Sequence, residues 1–105
     1  MTITPRRQQL ETLLAADPQD PFLRYALAME YESGGDTPGA VVQLQSLIRD
    51  FPEYVPAFLQ VGQLLIKEDR MEAAKQFLQM GMQVAFKVAD HHAYQEMEGF
   101  LAGIS

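Results

Sequence analysis

Hydrophobic residues recur along most of this chain three and four positions apart, and the same arrangement then returns at a constant interval. Spacing of this kind is typical of helices that bury one face. Six pairs of corresponding positions share one difference in residue number, namely Leu27 and Val61, Ala28 and Gly62, Tyr31 and Leu65, Ala40 and Ala74, Leu44 and Leu78, and Pro52 and Phe86. A constant period of about 34 residues indicates stacked helical hairpins. The pattern therefore predicts an all-α fold with two such units.

Residues that favour turns and helix starts divide this pattern into six helices. Asp20-Pro21 and Thr37-Pro38 mark the starts of two helices. The side-chain oxygen of the first residue can accept hydrogen bonds from the amides of the first turn, and proline is tolerated at the first helical position. Gly34-Gly35 favours the left-handed turn that ends a helix. The predicted segments are an N-terminal capping helix over 5–16, a first repeat over 21–52, a second repeat over 55–88 and a C-terminal capping helix over 91–104.

The two outer helices relate differently to the repeat period. Adding the period to the leucines of the first helix sends Leu10 to Leu44, Leu13 to Leu47 and Leu14 to Ile48. That helix therefore resembles the second half of a repeat, and half a unit can cover the apolar side of its neighbour. In the last helix the same period places Glu96 at the position of Ala28 and Gly62, so we interpret it as a terminal cap rather than a third repeat.

Composition excludes several classes of protein. A chain of 105 residues is one domain, and 48% hydrophobic with 21% charged residues is ordinary for a globular protein. A formal net charge of −6 opposes binding to nucleic acid or to anionic membranes. There is no cysteine, no apolar run long enough to cross a membrane and no signal-peptide pattern at the N-terminus, so we expect a cytoplasmic location.

No arrangement of residues in the sequence indicates catalysis, a metal or a cofactor. His91 and His92 are neighbours on a predicted helix and point about 100° apart, so they do not converge on one ion. Glu96 and Glu98 are about 200° apart around the same helix and cannot face each other as an acid and a base. We therefore expect no enzymatic activity and no cofactor.

One motif in the chain resembles that of a known family. Its residues in the first unit are Arg24, Leu27, Ala28, Tyr31, Gly35, Ala40, Leu44 and Pro52. They line up with the tetratricopeptide repeat pattern, W-x2-L-G-x2-Y followed by A-x3-F and a final proline. The sequence departs from the pattern where Arg24 and Phe58 replace tryptophan and Phe86 replaces the final proline. The chain is also similar to small stand-alone bacterial proteins with two such repeats between capping helices.

This resemblance implies a right-handed α-solenoid whose first helices line a concave groove for a peptide or a partner helix. The family's groove positions fall on Phe22, Tyr25, Met29, Glu32, Ser33, Leu59, Gln63, Ile66 and Lys67. Gln60 lies beside them and is included in the predicted groove. Helical spacing agrees, because Phe22, Tyr25 and Met29 form a stripe turned away from the predicted packing face. The alternative is that Tyr25, Leu59 and Ile66 pack on one another or under the C-terminal helix.

The preferred hypothesis for function is a non-enzymatic protein-interaction module that binds an apolar peptide or helix. One branch of the family grips acidic C-terminal tails of chaperones with cationic side chains. The matching positions here are Tyr25, Met29, Gln60, Asp90 and Tyr94. None is cationic, so we expect no binding of such tails. Two alternatives stay open: self-association, for example as a homodimer, through Phe86, Phe100 and Ile104, and a role like that of small acidic secretion chaperones.

Overall fold

A computed structural model describes residues 3–104 and contains six α-helices and no strand within that range. The helices are α1 (Pro5–Ala16), α2 (Pro21–Ser33), α3 (Thr37–Asp50), α4 (Val55–Lys67), α5 (Met71–Lys87) and α6 (His91–Ile104). The helices α2 and α3 pack as one hairpin and α4 and α5 as the next, while α3 joins the hairpins by packing on α4. The helix α1 lies against α2, and α6 lies against α5 and, to a smaller extent, α4.

Aspartate side chains cap three of these helices. The Asp20 carboxylate accepts hydrogen bonds from the Phe22 and Leu23 amides at the start of α2. The Asp90 carboxylate accepts one from the Ala93 amide at the start of α6. At α3 the capping residue is Asp36, which accepts from the Gly39 amide, and not Thr37 as the sequence pattern suggested. Thr37 is instead the first helical residue, because Asp36 is placed to reach the free amides of the first turn.

The two hairpin turns share one backbone geometry although only the first contains glycine. Gly35 after α2 and Asp69 after α4 both adopt positive φ, 86° and 60°. In each turn the next amide returns to a carbonyl in the last turn of the preceding helix, over 2.9 Å from Asp36 N to Tyr31 O and 2.8 Å from Arg70 N to Leu65 O. The second turn therefore forms without glycine at the cost of one strained aspartate.

The core runs through both hairpins and into α6. Its largest fully buried side chains are Phe58, Leu44, Leu47, Leu65, Leu78, Met97, Val41 and Val61. Leu27 and Val61 occupy corresponding places in α2 and α4, as predicted, and both are buried. At Gly81 a Cβ atom would lie 2.5 Å from Phe58 Cβ and 2.5 Å from Met97 Sδ, so α5 approaches both α4 and α6 closely there. This close approach fixes α6 against the second hairpin.

The helix α6 follows the second hairpin at an offset two positions longer than the repeat period. The α4 cap, Tyr54, follows the α2 cap, Asp20, by one period, whereas the α6 cap, Asp90, follows Tyr54 by one period and two further positions. The buried Met97 then corresponds to Val61. The extra length arises because α5 has 17 residues and α3 has 14, while the following connection is one residue shorter. The residue at the small position of Ala28 and Gly62 is consequently Glu98.

No helix within residues 3–104 is both long and apolar enough to cross a membrane.

Candidate functional site

None of the ten predicted groove residues is buried. Phe22, Ser33 and Lys67 are exposed, and Phe22 keeps 64% of its surface accessible. The others are half-buried, namely Tyr25, Met29, Glu32, Leu59, Gln60, Gln63 and Ile66. The first helices of the two hairpins, α2 and α4, carry all ten. None of the ten side chains is therefore sealed inside the fold, although most of them are partly enclosed by their neighbours.

Aromatic rings connect the two hairpins at one end of this surface. The ring of Tyr25 on α2 lies 5.8 Å from that of Tyr54, which precedes α4, at an angle of 57°. Burial raises the pKa of Tyr25 above its ordinary value, while the nearby Gln60 side chain opposes this shift. The rings are therefore held in place by the fold and offer rigid contact area at little cost in side-chain entropy.

An ion pair connects the hairpins at the opposite end of the same helices. Lys67 Nζ lies 2.7 Å from Glu32 Oε2, and the Thr37 hydroxyl donates a second hydrogen bond to Glu32. Burial alone would raise the pKa of Glu32, but these hydrogen bonds and the Lys67 charge outweigh it and lower the pKa below its ordinary value. Glu32 and Lys67, two of the predicted groove residues, thus form an ion pair with each other, and their charges are already compensated.

The aliphatic groove residues have a second, structural role. Leu59 and Ile66 are half-buried and pack against the hydrophobic core, as Tyr25 does. Each of these three residues therefore contributes to the core while it keeps accessible surface. Substitutions at Leu59 or Ile66 are expected to affect folding as well as any binding, which makes Phe22 the cleaner probe of the surface.

The offset of α6 predicts a third helix for this surface, which the sequence analysis missed. With the longer offset of α6, its groove positions fall on His92, Gln95, Gly99, Ala102 and Gly103, and all five are exposed. Nothing lies within 4 Å of a Cβ added at Gly99 or Gly103. Small residues on an open helix face let another backbone approach closely. The signal that could have revealed them is the shared aspartate cap, Asp20 and Asp90.

Two positions matched to the chaperone-tail binders do not lie in the groove. Asp90 caps α6 through the Ala93 amide, at 3.1 Å. Tyr94 points to the other side of α6, where its ring lies 6.4 Å from that of Phe86 and lines a cavity between α5 and α6. The matching positions that remain in the groove are Tyr25, Met29 and Gln60, and none of them carries a charge.

Among residues 3–104 no group of three or more acidic, histidine or cysteine side chains is arranged to hold a metal ion. The side chain of His92 lies 2.9 Å from the Glu96 carboxylate, one turn further along α6. His91 does not share this contact, which agrees with the divergence expected of neighbours on a helix.

Comparison with known proteins identifies the fold. No protein-family model and no curated sequence matches the chain. A crystal structure of a tetratricopeptide repeat domain protein from Salinibacter ruber matches with a TM-score of 0.77 at 27% identity, over 82% of this chain and 96% of that one. A solution structure of a tetratricopeptide repeat domain protein from the same organism gives 0.81 at 28%, over 85% and 90%. A solution structure of a Bordetella parapertussis protein gives 0.82 at 23%, over 96% and 88%.

These likenesses and the six helices define an all-α helical repeat of the tetratricopeptide type, as the motif residues predicted. The chain is similar in fold to these tetratricopeptide repeat domain proteins, and a bacterial origin fits the sources of the neighbours. Proteins of this fold are generally non-enzymatic scaffolds that bind other proteins. The fold thus supports a protein-interaction module in general and a protein as its partner.

Proposed function

We propose that this protein binds an apolar helix or extended segment of a protein partner in the groove formed by α2, α4 and α6. The observation that carries this proposal is a stripe of apolar and aromatic side chains along α2, in which Phe22 is 64% exposed and Tyr25 and Met29 keep part of their surface accessible. Large apolar side chains that stay accessible on a well-packed domain commonly mark an interaction site. We further propose that binding takes place in the cytoplasm.

The charges of the groove favour an apolar partner over a charged one. Glu32 and Lys67 neutralise each other across the hairpins, so the groove offers no unpaired cation for an acidic peptide. Gln60 and Gln63 are half-buried, and their side-chain amides can donate hydrogen bonds to a partner backbone and accept them from it. Apolar anchors would then supply most of the binding free energy, and the glutamines would fix the orientation of the segment.

The third wall of the groove permits close contact with the partner. Gly99 and Gly103 present backbone rather than side chain on the open face of α6. A helix or strand in the groove could therefore pack directly on α6, while the bulkier residues of α2 and α4 contact its side chains. This is the helix-in-groove or strand mode of peptide recognition, in which the spacing of apolar anchors gives specificity.

The test uses two variants of similar exposure on different faces. Phage display of random peptides on the immobilised protein would supply a ligand, and calorimetry would measure its affinity. Phe22→Asp places a charge in the groove, whereas Val42→Asp places one on α3, where Val42 is 60% exposed. We expect Phe22→Asp to weaken binding by about tenfold or more, which corresponds to about 1.4 kcal/mol, and Val42→Asp to leave it unchanged. Equal affinity of both variants, with unchanged helicity, would refute the proposal.

A further inference from the structure

One side of α6 is open, although the matching side of α4 is covered by α5. A Cβ added at Gly62 would lie 2.6 Å from Leu78 Cδ2, so Gly62 marks the side of α4 that faces α5. With the offset of α6, two positions beyond the repeat period, the corresponding residue of α6 is Glu98. Glu98 is exposed, and α5 meets α6 at Met97 instead. Within residues 3–104 no helix takes the place on α6 that α5 takes on α4.

The open side of α6 borders an apolar cavity. Tyr94 on this side corresponds to Phe58, which is 1% exposed under α5, but Tyr94 keeps part of its surface accessible. The ring of Phe86 lies 6.4 Å from that of Tyr94, and Phe86 is 73% exposed. With neighbouring side chains of α5 and α6 the two rings line a cavity of about 460 Å³, whose lining is Gln79, Met82, Gln83, Phe86, Tyr94 and Leu101. Accessible apolar surface of this kind commonly marks an interaction site.

A carboxylate stands on the same side of α6. Glu98 follows Tyr94 by about one helical turn, so both side chains lie on one face. Among residues 3–104 Glu98 forms no ion pair, and the lysines of the neighbouring α5, Lys75 and Lys87, pair with other glutamates. A helix that covered this side without a cation would bury an unpaired carboxylate, which costs free energy. The charge therefore selects for a basic residue in the helix that packs here.

We infer that the open side of α6 binds an amphipathic helix of a partner protein that carries lysine or arginine within its apolar face. The bound helix takes the place of the second helix of a third hairpin. Its apolar residues cover the rings of Tyr94 and Phe86. Its basic residue lies opposite Glu98, at the place from which Leu78 of α5 contacts Gly62. The net charge of −6 also favours the encounter with a basic segment.

The helices of this chain that correspond to second helices do not supply the basic residue. The residues that precede Leu78 by one and two repeat periods are Leu44 in α3 and Leu10 in α1. Both are buried in their own fold, Leu44 at 0% and Leu10 at 5% exposure. A second copy that offered α1, α3 or α5 would place leucine against Glu98 and leave its carboxylate unpaired. The charge on this side of α6 therefore favours a different protein over a second copy.

A synthetic peptide with the sequence of α5 is a suitable probe, because α5 already packs on α4 in the required way. Leu78→Lys in this peptide supplies the cation, while its glycine at the place of Gly81 leaves room for Tyr94. The control peptide carries Gln76→Lys instead, which keeps the same charge but places it about 200° away around the helix. The comparison therefore separates a cation opposite Glu98 from general attraction to an acidic protein.

Calorimetry and backbone chemical shifts of the labelled full chain measure the binding of both peptides. We expect the Leu78→Lys peptide to bind more tightly than the Gln76→Lys peptide by about tenfold or more, because only the first pairs the covered carboxylate. The amides of Tyr94 and Glu98 should shift as it binds.

Exchanging the charges tests the assigned pair in the full chain. Glu98→Lys should weaken binding of the Leu78→Lys peptide by about tenfold or more and should bind a Leu78→Glu peptide in its place. Glu96→Lys is the matched control, because Glu96 is an exposed residue of the same helix on its opposite side. This variant should rank the peptides as the wild type does. Circular dichroism should show equal helicity for both variants.

Four results would overturn the proposal. They are equal affinities of the two lysine peptides, no binding of either at millimolar concentration, a charge exchange that does not restore binding, and shifts of Phe22 and Met29 in place of Tyr94 and Glu98. Occupation by a second copy would also contradict it, and would appear as shifts of Tyr94 and Glu98 that depend on protein concentration without peptide. The groove proposal uses another ligand and a variant of α2, so the two proposals can fail separately.

Discussion

Lys67 and Glu32 join the first helices of the two hairpins, with Lys67 Nζ 2.7 Å from Glu32 Oε2. The lysine is 61% exposed and the glutamate 20% exposed, so the pair lies at the rim rather than in the core. Thr37 at the start of α3 holds the same carboxylate. The Glu32 carboxylate therefore links α2 to two other helices, to α3 through Thr37 and to α4 through Lys67, and it fixes their relative positions more than it adds to stability.

Replacing Lys67 with methionine should make the free energy of unfolding less dependent on pH in the acidic range. The lowered pKa of Glu32 means that its contribution is present above the ordinary pKa of 4.5 and is lost as the pH falls through the lower, folded-state value. Lys67→Met removes the hydrogen bond and charge that lower this pKa. We expect a loss of at most about 1 kcal/mol at neutral pH and a smaller further loss below pH 4.5. Thermal unfolding across this range measures both quantities, and an unchanged pH profile would contradict the assigned cause.

Gly81 should tolerate alanine poorly, although it lies inside a helix. The new Cβ would meet Phe58 Cβ, which cannot move without its backbone. We expect Gly81→Ala to lower the free energy of unfolding by about 1–3 kcal/mol through overpacking. Gly99→Ala is the matched control, since nothing lies within 4 Å of its added methyl, and it should stabilise by about 0.5–1 kcal/mol. Urea unfolding of both variants compares them, and a stabilising Gly81→Ala would show that the approach of α5 to α4 is looser than described.

The turn before α6 should be stabilised by glycine. Ala89 adopts a φ of 62°, in the left-handed region that disfavours side chains, and its own side chain is exposed. Ala89→Gly removes this strain, which is worth about 1–2 kcal/mol, while the added freedom of the unfolded glycine offsets about 0.4–1 kcal/mol of that gain. We expect a small net rise in melting temperature. The exposed helical residue Ala102 is the control, because Ala102→Gly should lower it. A lower melting temperature for Ala89→Gly would contradict the claim that the backbone of Ala89 is strained.

Acidic chaperone C-terminal peptides should not bind. The matched positions that lie in the groove are uncharged, and Asp90 is engaged in capping α6. A labelled peptide with a free acidic C-terminus should therefore give no change in fluorescence anisotropy at micromolar protein. A scrambled peptide of the same composition is the control for nonspecific attraction. Saturable binding of the acidic tail alone would show that this part of the account is wrong.

The helical repeat could be predicted from the sequence because its signals are local. Leu27 and Val61 lie on the same face of corresponding helices, and the aspartate-proline pair at Asp20-Pro21 marks a helix start by chemistry that acts within three residues. Such spacing and cap signals do not depend on the rest of the fold. The all-α class and the family resemblance were therefore confirmed. The division into capping helices and repeats stays a prediction.

The position of α6 could not be read from the repeat period. No proline ends α5, so the sequence predicted a longer helix but not by how much. The two-residue shift moves the small-residue position from Glu96 to Glu98, and it assigns Gly99 and Gly103, which have nothing within 4 Å of an added Cβ, to the positions of the predicted groove. Contacts such as that of Glu32 with Lys67 could not be predicted from the sequence either, because they depend on the relative placement of two helices that are far apart in the chain.

The central claim is that a partner segment lies along α2, α4 and α6. Backbone chemical shifts of the labelled protein, measured as a selected apolar peptide is added, test it most directly. The account predicts that the amides of Phe22, Met29, Gln63 and Gly99 shift together with one affinity, while those of Met80 and Val42, on exposed faces of the second helices, stay in place. Shifts confined to Met80 and Val42, with the groove amides unmoved at saturation, would contradict it.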